Sequence, residues 1–194
     1  MRVVSSLSCD AILFDLDGVL VDSAEVVERT WRRWAVQHGL NPDEIVRIAH
    51  GRRTVETVRL VAPHLDAEAE GAALAASEST ETDGVYEIPG ARELLRSLPE
   101  GSWAIVTSGI RAVAELRIRH TGLPAPRVLI PADEVRHGKP HPEGYLTAAA
   151  RLGVTPARRV RRSRRASRRR PTASTRSRAR ASCSTRCRTG RGRW

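Results

Sequence analysis

The amino-acid sequence predicts an α/β protein, with a three-layer, Rossmann-like parallel sheet as its core and an α-helical cap inserted into that core. Three short apolar runs, at residues 10–15, 103–109 and 127–135, have the composition of strands that are buried on both faces. Helical patterns separate these runs, and alternating strands and helices favour parallel pairing. A long helical block between the first two runs indicates the cap.

The first apolar run, DAILFD, continues into LDGVLVDS, which carries charge where the strand should end. Asp15 and Asp17 are two residues apart, so both side chains lie on the same side of an extended backbone. Burying a carboxylate without a partner costs several kcal/mol. We therefore expect these aspartates to have a use at the strand end, where Gly18 lets the chain turn away.

The predicted cap begins with an amphipathic helix over residues 23–38. Short helices follow over residues 41–79, the first of them capped by Asn41. Trp31 and Trp34, on the first of all these helices, are expected to pack inside the cap rather than to stack on a sugar. None of this block has the pattern of a sheet.

We expect the chain to divide into three parts. Residues 1–22 and 86–157 form the core, residues 23–85 form the helical cap, and residues 158–194 form an arginine-rich tail. The tail contains 16 arginines and no acidic residue, whereas the rest has 17 basic and 22 acidic residues. The tail cannot bury a core and repels itself, which favours disorder.

The compartment is predicted from what the sequence lacks. Cys9, Cys183 and Cys187 have no paired spacing, so no disulfide framework is expected. No apolar run reaches the roughly 18 residues of a membrane span, and no small-residue cleavage site follows the first apolar stretch. We expect a cytoplasmic monomer with no membrane partner.

Polar side chains follow two of the predicted strands at the edge where parallel strands end together. Asp15 and Asp17 follow the first strand, and Thr107 and Ser108 follow the second. Because the nearby ligands are all oxygen atoms, the pattern favours Mg²⁺ over zinc. Together with Lys139, the only lysine of the chain, these groups predict a phosphate site.

Three motifs, FDLDGVLVDS, AIVTSG and GKPHPEGYL, resemble in order and separation those of the haloacid dehalogenase superfamily of phosphohydrolases, in the branch with a small helical cap. The resemblance covers the chain from residue 10 to about residue 156. It implies Mg²⁺ as cofactor and Asp15 as nucleophile and metal ligand. It also implies Asp17 as general acid and base, with its backbone carbonyl facing the metal.

The same resemblance implies a set of phosphate-binding groups. Thr107 and Lys139 would hold the phosphoryl oxygens, and Lys139 would neutralise the charge that develops during transfer. Ser108 and Gly109, which follow the hydroxyl of the second motif, would present backbone donors.

Within the superfamily, the segments IAHGRRTVETVRLVAP, WAIVTSG and GKPHPEGYL look most like those of phosphatases for hexitol, hexose or glycerol phosphates. The similarity implies that a small phosphorylated sugar or polyol is the partner. His50, Arg52 and Arg53 would lie where the cap closes over this substrate, although a solvated helix face explains them equally well. Glu25 would bind substrate hydroxyls.

Two histidines, His137 and His141, flank Lys139. No third ligand at metal spacing is apparent beside them, so the sequence does not predict a zinc site.

The sequence departs from the family after the third motif. Members continue into a hydrophobic strand that ends in an acidic pair and completes the metal site, whereas no acidic residue follows Glu143 here. The tail has the Arg, Ser, Ala, Pro and Thr content of a GC-rich coding sequence translated out of frame. We hypothesise that a frameshift replaced the C-terminal part of the core, which exposes the first strand as an edge and impairs catalysis.

Two alternatives to a phosphatase stay open. A phosphosugar mutase of the same superfamily shares the nucleophile and the cap. A non-catalytic remnant belongs to a different class, in which the arginine-rich tail binds nucleic acid without sequence preference and with steep salt dependence.

Overall fold

The structure is a computed structural model, and it describes residues 9–155 of the chain. Its strands are β1 (Ile12–Phe14), β2 (Val21–Asp22), β3 (Tyr86–Glu87), β4 (Trp103–Val106) and β5 (Leu129–Ile130). Its helices are α1 (Ala24–Gln37), α2 (Pro42–Ala49), α3 (Thr54–Val61), α4 (Ala67–Glu78), α5 (Ala91–Ser97), α6 (Arg111–His120) and α7 (Glu143–Arg151), with a 3₁₀ turn at Ala132–Glu134.

The three apolar runs form one parallel sheet with the strand order β1-β4-β5. Phe14 pairs with Ile105, and Ile105 pairs in turn with Leu129. Alternate residues of β4 face opposite sides, as the period of a strand requires. The side of Ile105 packs on α5 and α6, and the side of Val106 packs on α7. The predicted three-layer α/β fold is confirmed.

The helices α1 to α4 pack on one another around a hydrophobic cluster of their own. Trp31 and Trp34 are buried in this cluster with their rings edge to face and the ring centroids 5.4 Å apart. The indole N–H of Trp34 donates to Glu70 Oε2 at 2.8 Å. Both tryptophans therefore pack inside the helical block, as predicted, and Asn41 caps α2 through its side chain.

The antiparallel pair β2–β3 was not predicted, because two-residue strands are too short to show a period. Val21 pairs with Glu87 and Asp22 pairs with Tyr86. The pair lies where the chain leaves the sheet for α1 and where it returns after α4. The entrance and the exit of the helical block are thus side by side.

Some predictions lie outside residues 9–155: those on the arginine-rich tail, on its disorder and on the loss of the C-terminal part of the core. Within the described part of the chain, β1 stands at one end of the strand order. Among those same residues, no helix has the length and apolar character needed to span a membrane.

Candidate active site at the carboxyl ends of the strands

Two parallel strands deliver the predicted residues to one place. Asp15 comes directly after β1, and Thr107 comes directly after β4. Because β1 and β4 run parallel and in register at Phe14 and Ile105, the chain leaves both strands at the same edge. The first and second motifs therefore meet there, as expected from the sequence.

Lys139 reaches the same edge from the loop before α7. Its Nζ lies 2.7 Å from Asp15 Oδ1 and donates to the carbonyl of Val106 at 2.9 Å. The ammonium also stands 5.6 Å from the centroid of the Tyr145 ring, within the range of a cation–π contact. The same Asp15 oxygen accepts the N–H of Leu16 at 2.8 Å. The third motif thus places its cation directly on the predicted nucleophile.

Asp17 is held by several donors. Ser23 Oγ donates to Oδ1 at 2.7 Å, and Thr107 Oγ1 donates more weakly to Oδ2 at 3.4 Å. Arg117 Nη1 donates to Oδ1 at 2.7 Å. These contacts fix the carboxyl group beside Asp15 and separate its role from that of Asp15, whose charged partner is Lys139.

Arg117 and Glu78 form a buried connection from this site to helix α4, and the sequence analysis missed both residues. Arg117 is buried, and its Nη2 donates to Glu78 Oε2 at 3.0 Å. Its Nε finds no acceptor among residues 9–155. Burial raises the pKa of Glu78 above its ordinary value, although the charge of Arg117 opposes that shift. The available signal was an arginine among the apolar positions of α6, next to Ile118.

The hydroxyl motif is tied to the helical block. Ser108 Oγ donates to the carbonyl of Gly51 at 3.0 Å, across the boundary between the core and the helices. Gly109 N–H donates to Thr107 Oγ1 at 3.1 Å, which folds the backbone of the motif around the hydroxyl. Thr107, Ser108 and Lys139 all line a small open pocket.

Of the cap residues predicted to meet substrate, the structure brings Arg53 to this pocket. Arg53 Nη1 donates to the carbonyl of Arg136, in the loop that carries Lys139, at 3.0 Å. It also packs so tightly on Gly138 that a Cβ there would lie 2.4 Å from Arg53 Cδ. Helix α3 is therefore anchored on the lysine loop through its N-cap residue.

The other cap residues lie elsewhere. His50 and Arg52 are exposed and are not among the residues that line the pocket. Glu25 pairs with Arg29 at 3.4 Å and packs against Gly84, near the β2–β3 pair. In this arrangement Glu25 contacts the turn before β3 and is not among the residues that line the pocket.

The expectation that His137 and His141 lack a third metal ligand is wrong. Glu143 Oε2 lies 2.9 Å from His137 Nδ1 and 3.8 Å from His141 Nδ1. The ligand atoms of the three residues lie within 4.8 Å of one another. Sequence spacing concealed the third ligand because it depends on a loop that turns back at Gly138, where His141 N–H donates to the Gly138 carbonyl.

The donor set beside Asp15 fits a hard cation. Oxygen atoms alone are offered there, namely the Asp15 carboxylate and the Asp17 carbonyl, which accepts no hydrogen bond from any group of residues 9–155. Mg²⁺ accepts such a set because it keeps several of its waters. The Asp17 carboxylate is already engaged by Arg117 and Ser23. These residues therefore suit Mg²⁺ better than a metal that requires nitrogen or sulfur.

Similar proteins identify the family of this chain. The family model for haloacid dehalogenase-like hydrolases matches residues 9–160. The chain is 44% identical over 155 residues to hexitol phosphatase A of Escherichia coli, a match that covers 77% of this chain and 72% of the relative. It is 36% identical over 162 residues to 2-deoxyglucose-6-phosphate phosphatase 1 of Saccharomyces cerevisiae, covering 75% of this chain and 65% of that protein.

Among solved structures, a haloacid dehalogenase family hydrolase from Deinococcus radiodurans, with bound phosphate and sodium, is 31% identical. Its TM-score is 0.50, and the match covers 76% of this chain and 69% of that one. A hydrolase from Pseudomonas syringae has a TM-score of 0.66 at 23% identity, over 76% and 72% of the two chains, and shows the shared fold. By its fold, by its three motifs and by the extent of the family match, this chain belongs to the haloacid dehalogenase-like hydrolases.

Proposed function

We propose that this protein hydrolyses small sugar or polyol phosphate monoesters with the help of Mg²⁺, through an aspartyl-phosphate intermediate. The observation that carries the proposal is the contact between Lys139 Nζ and Asp15 Oδ1 at 2.7 Å, beside the hydroxyl of Thr107. A carboxylate next to a cation and a hydroxyl is suited to receive a phosphoryl group, because its neighbours balance the charge of the phosphoryl oxygens.

In the first step, an oxygen of Asp15 attacks phosphorus while the bond between phosphorus and the ester oxygen breaks. Asp17 gives its proton to the departing sugar or polyol oxygen, so the alcohol leaves neutral. Lys139 and Thr107 hold the phosphoryl oxygens during this transfer. When bound by the Asp15 carboxylate and the Asp17 carbonyl, Mg²⁺ would supply positive charge against the phosphoryl oxygens.

In the second step, water attacks the phosphorus of the aspartyl phosphate, and Asp17 takes the proton of that water. The bond between phosphorus and Asp15 breaks, which releases inorganic phosphate and restores both carboxyl groups. Asp17 thus alternates between acid and base, and the donors Ser23 and Arg117 keep its carboxyl group in place for both steps.

The substrate class is supported by the names of the relatives. The names of the E. coli and yeast relatives include a hexitol phosphatase, a 2-deoxyglucose-6-phosphate phosphatase and a glycerol-1-phosphate phosphohydrolase. Arg53, the N-cap residue of α3, lines the same pocket as Thr107, Ser108 and Lys139.

The activity of the 194-residue chain is proposed to be weak. The carboxylate of Asp17 is engaged by Arg117, and the sequence contains no acidic residue after Glu143. A metal held by fewer carboxylates binds less tightly and is oriented less well. The substrate class, the chemistry and the weak activity can each be tested separately.

The test measures phosphate release from hexitol, hexose and glycerol phosphates, with Mg²⁺ and after its removal by EDTA. Asp15→Asn should abolish release, whereas the matched variant Asp43→Asn, whose side chain is 81% exposed on α2, should keep the parent rate. Release by Asp15→Asn at the parent rate would overturn the choice of nucleophile. An isomeric sugar phosphate in place of free phosphate would identify a mutase instead.

A further inference from the structure

A second cluster of ligand atoms stands on the loop between β5 and α7, apart from the carboxylates described above. His137, His141 and Glu143 bring two imidazoles and one carboxylate within 4.8 Å of one another. The ring centroids of the two histidines are 4.6 Å apart. Both histidines also line the pocket, together with Lys139.

The distances within this cluster suit a borderline divalent cation. A tetrahedral site with bonds of about 2.0–2.1 Å to nitrogen or oxygen places its ligand atoms roughly 3.3–3.4 Å apart. The distances from Glu143 Oε2 to His137 Nδ1 and to His141 Nδ1, 2.9 and 3.8 Å, lie on either side of that value. All three separations lie within 4.8 Å, so the exposed histidine side chains must move closer together to enclose an ion.

The carboxylate of this cluster is oriented by hydrogen bonds without any metal. Glu143 Oε1 accepts the N–H of Arg136 at 2.9 Å, and Oε2 accepts the N–H of His137 at 3.0 Å. These backbone hydrogen bonds and the contact with the His137 ring hold the carboxylate in place. Outer hydrogen bonds of this kind hold ligating carboxylates in place at metal sites.

Both imidazoles are accessible from solvent. Exposed fractions of 65% for the His137 side chain and 51% for the His141 side chain leave both rings accessible to an incoming ion. His141 Nδ1 accepts the N–H of Glu143 at 3.3 Å, so a metal that binds this nitrogen would replace that hydrogen bond. An ion that enters would replace the proton between His137 and Glu143.

The nearby positive charge of Lys139 does not oppose such an ion strongly. Lys139 lies between the two histidines in sequence, but its ammonium is 2.7 Å from Asp15 Oδ1 and is neutralised there. We propose that His137, His141 and Glu143 form a binding site for a borderline divalent cation such as Zn²⁺, separate from the predicted Mg²⁺ site. Two imidazoles and one carboxylate leave a fourth position for water, and they favour Zn²⁺ over Mg²⁺.

Occupation of this site would fix the loop that presents Lys139. The three ligands lie on both sides of Lys139 in sequence, so a bound ion closes a ring of the chain around it. The proposal concerns binding by the chain's own residues and does not depend on phosphatase activity.

The test is a Zn²⁺ titration by calorimetry of the full chain, in excess Mg²⁺ and in a Cys183→Ser/Cys187→Ser background that removes the thiols of the C-terminal segment. His137→Ala and His141→Ala should each weaken one zinc equivalent by at least about 10-fold, the lower end of the cost of losing even an outer partner of a metal site. The matched variant His64→Ala, an exposed histidine of the helical block, should bind like the parent.

Two further measurements distinguish a loss of zinc binding from a loss of folding. Circular dichroism in the absence of zinc checks that each variant is folded. We expect folded variants because both histidines are exposed. Hydrogen exchange of the segment 136–143 should slow on zinc addition in the parent and remain unchanged in His137→Ala. The proposal would be overturned if the zinc isotherms of the parent and of the His137→Ala/His141→Ala double variant coincided.

Discussion

Arg117 Nη1 lies 2.7 Å from Asp17 Oδ1, and this contact sets a buried guanidinium of helix α6 against the predicted general acid and base. The other end of the guanidinium donates to Glu78, the last residue of α4. One side chain therefore connects the sheet edge, where the chemistry is proposed, to the helical block that would cover the substrate.

Replacement of Arg117 by Met should destabilise the protein strongly. Removal of one partner from a buried ion pair leaves uncompensated charge and costs about 3–5 kcal/mol. The free energy of unfolding in urea measures this loss. Arg119→Met is the matched control, because that side chain is 68% exposed two residues further along, and its change should stay within about 0.5 kcal/mol. Equal losses in both variants would contradict the prediction.

Glu78 should make stability depend on pH. Burial raises its pKa in the folded state, while Arg117 opposes the shift and Asp17 and Glu81 add to it. Its stabilising contribution is therefore full below the unfolded value of about 4.3 and is lost as pH rises through the higher folded value. Urea midpoints of parent and Glu78→Gln, measured from about pH 4 upward, should show the parent losing ground relative to the variant. Parallel curves would show that the shift is absent.

Lys139→Arg should weaken the binding of inorganic phosphate. The ammonium fits between Asp15 Oδ1 at 2.7 Å and the Val106 carbonyl at 2.9 Å, where a planar guanidinium has a different shape and reach. A hydrogen bond to a charged group contributes roughly 1.5–3 kcal/mol, so the dissociation constant should rise by about 10-fold or more. In Lys139→Met the dissociation constant for phosphate should rise further. Calorimetry with phosphate measures both, and unchanged affinity in Lys139→Met would remove Lys139 from the site.

Gly138→Ala should strain the contact between α3 and the lysine loop. The added Cβ would lie 2.4 Å from Arg53 Cδ and 2.8 Å from Glu56 Oε1, so the arginine must leave its position. Overpacking of this kind costs about 1–3 kcal/mol. In an Arg53→Ala background most of the loss caused by Gly138→Ala should be absent, since the nearer of the two obstructing side chains is gone. Thermal denaturation of the single and double variants measures the difference, and an equal loss from Gly138→Ala in both backgrounds would place the strain elsewhere.

A chain that continues in the alternative reading frame after Arg158 should release phosphate faster than the 194-residue chain. The physical reason is the acidic pair that family members carry after the third motif, because additional carboxylates tighten the hold on Mg²⁺. Resequencing of the gene and a Mg²⁺-dependent phosphate assay on both forms provide the measurement. Equal rates in the two forms would show that the acidic pair is not needed.

The parallel core and the meeting of Asp15 with Thr107 could be predicted because each depends on local pattern. A short apolar run indicates a buried strand, and parallel pairing then places the ends of the two strands together. Lys139 followed from its motif, and its rarity in an arginine-rich chain pointed the same way. These features require only the period of one element and the geometry of a sheet.

The features that were missed depend on contacts between distant segments. Arg117 and Glu78 lie 39 residues apart, and nothing in the sequence of either helix indicates that the guanidinium of Arg117 contacts Glu78. The cluster of Glu143 with the two histidines arises from a turn in a loop, which has no period.

The side-by-side pairing of Asp22 with Tyr86 gives the helical block the character of an exchangeable module. Since the chain departs and returns at adjacent positions, a short turn could join β2 to β3 without displacing any strand of the parallel sheet. Segments of different length and sequence can be accommodated between the same two positions while the phosphate-binding edge is conserved. New substrate ranges in such a scaffold can therefore evolve by replacement of the insert, provided that the new segment supplies Arg117 with a partner in place of Glu78.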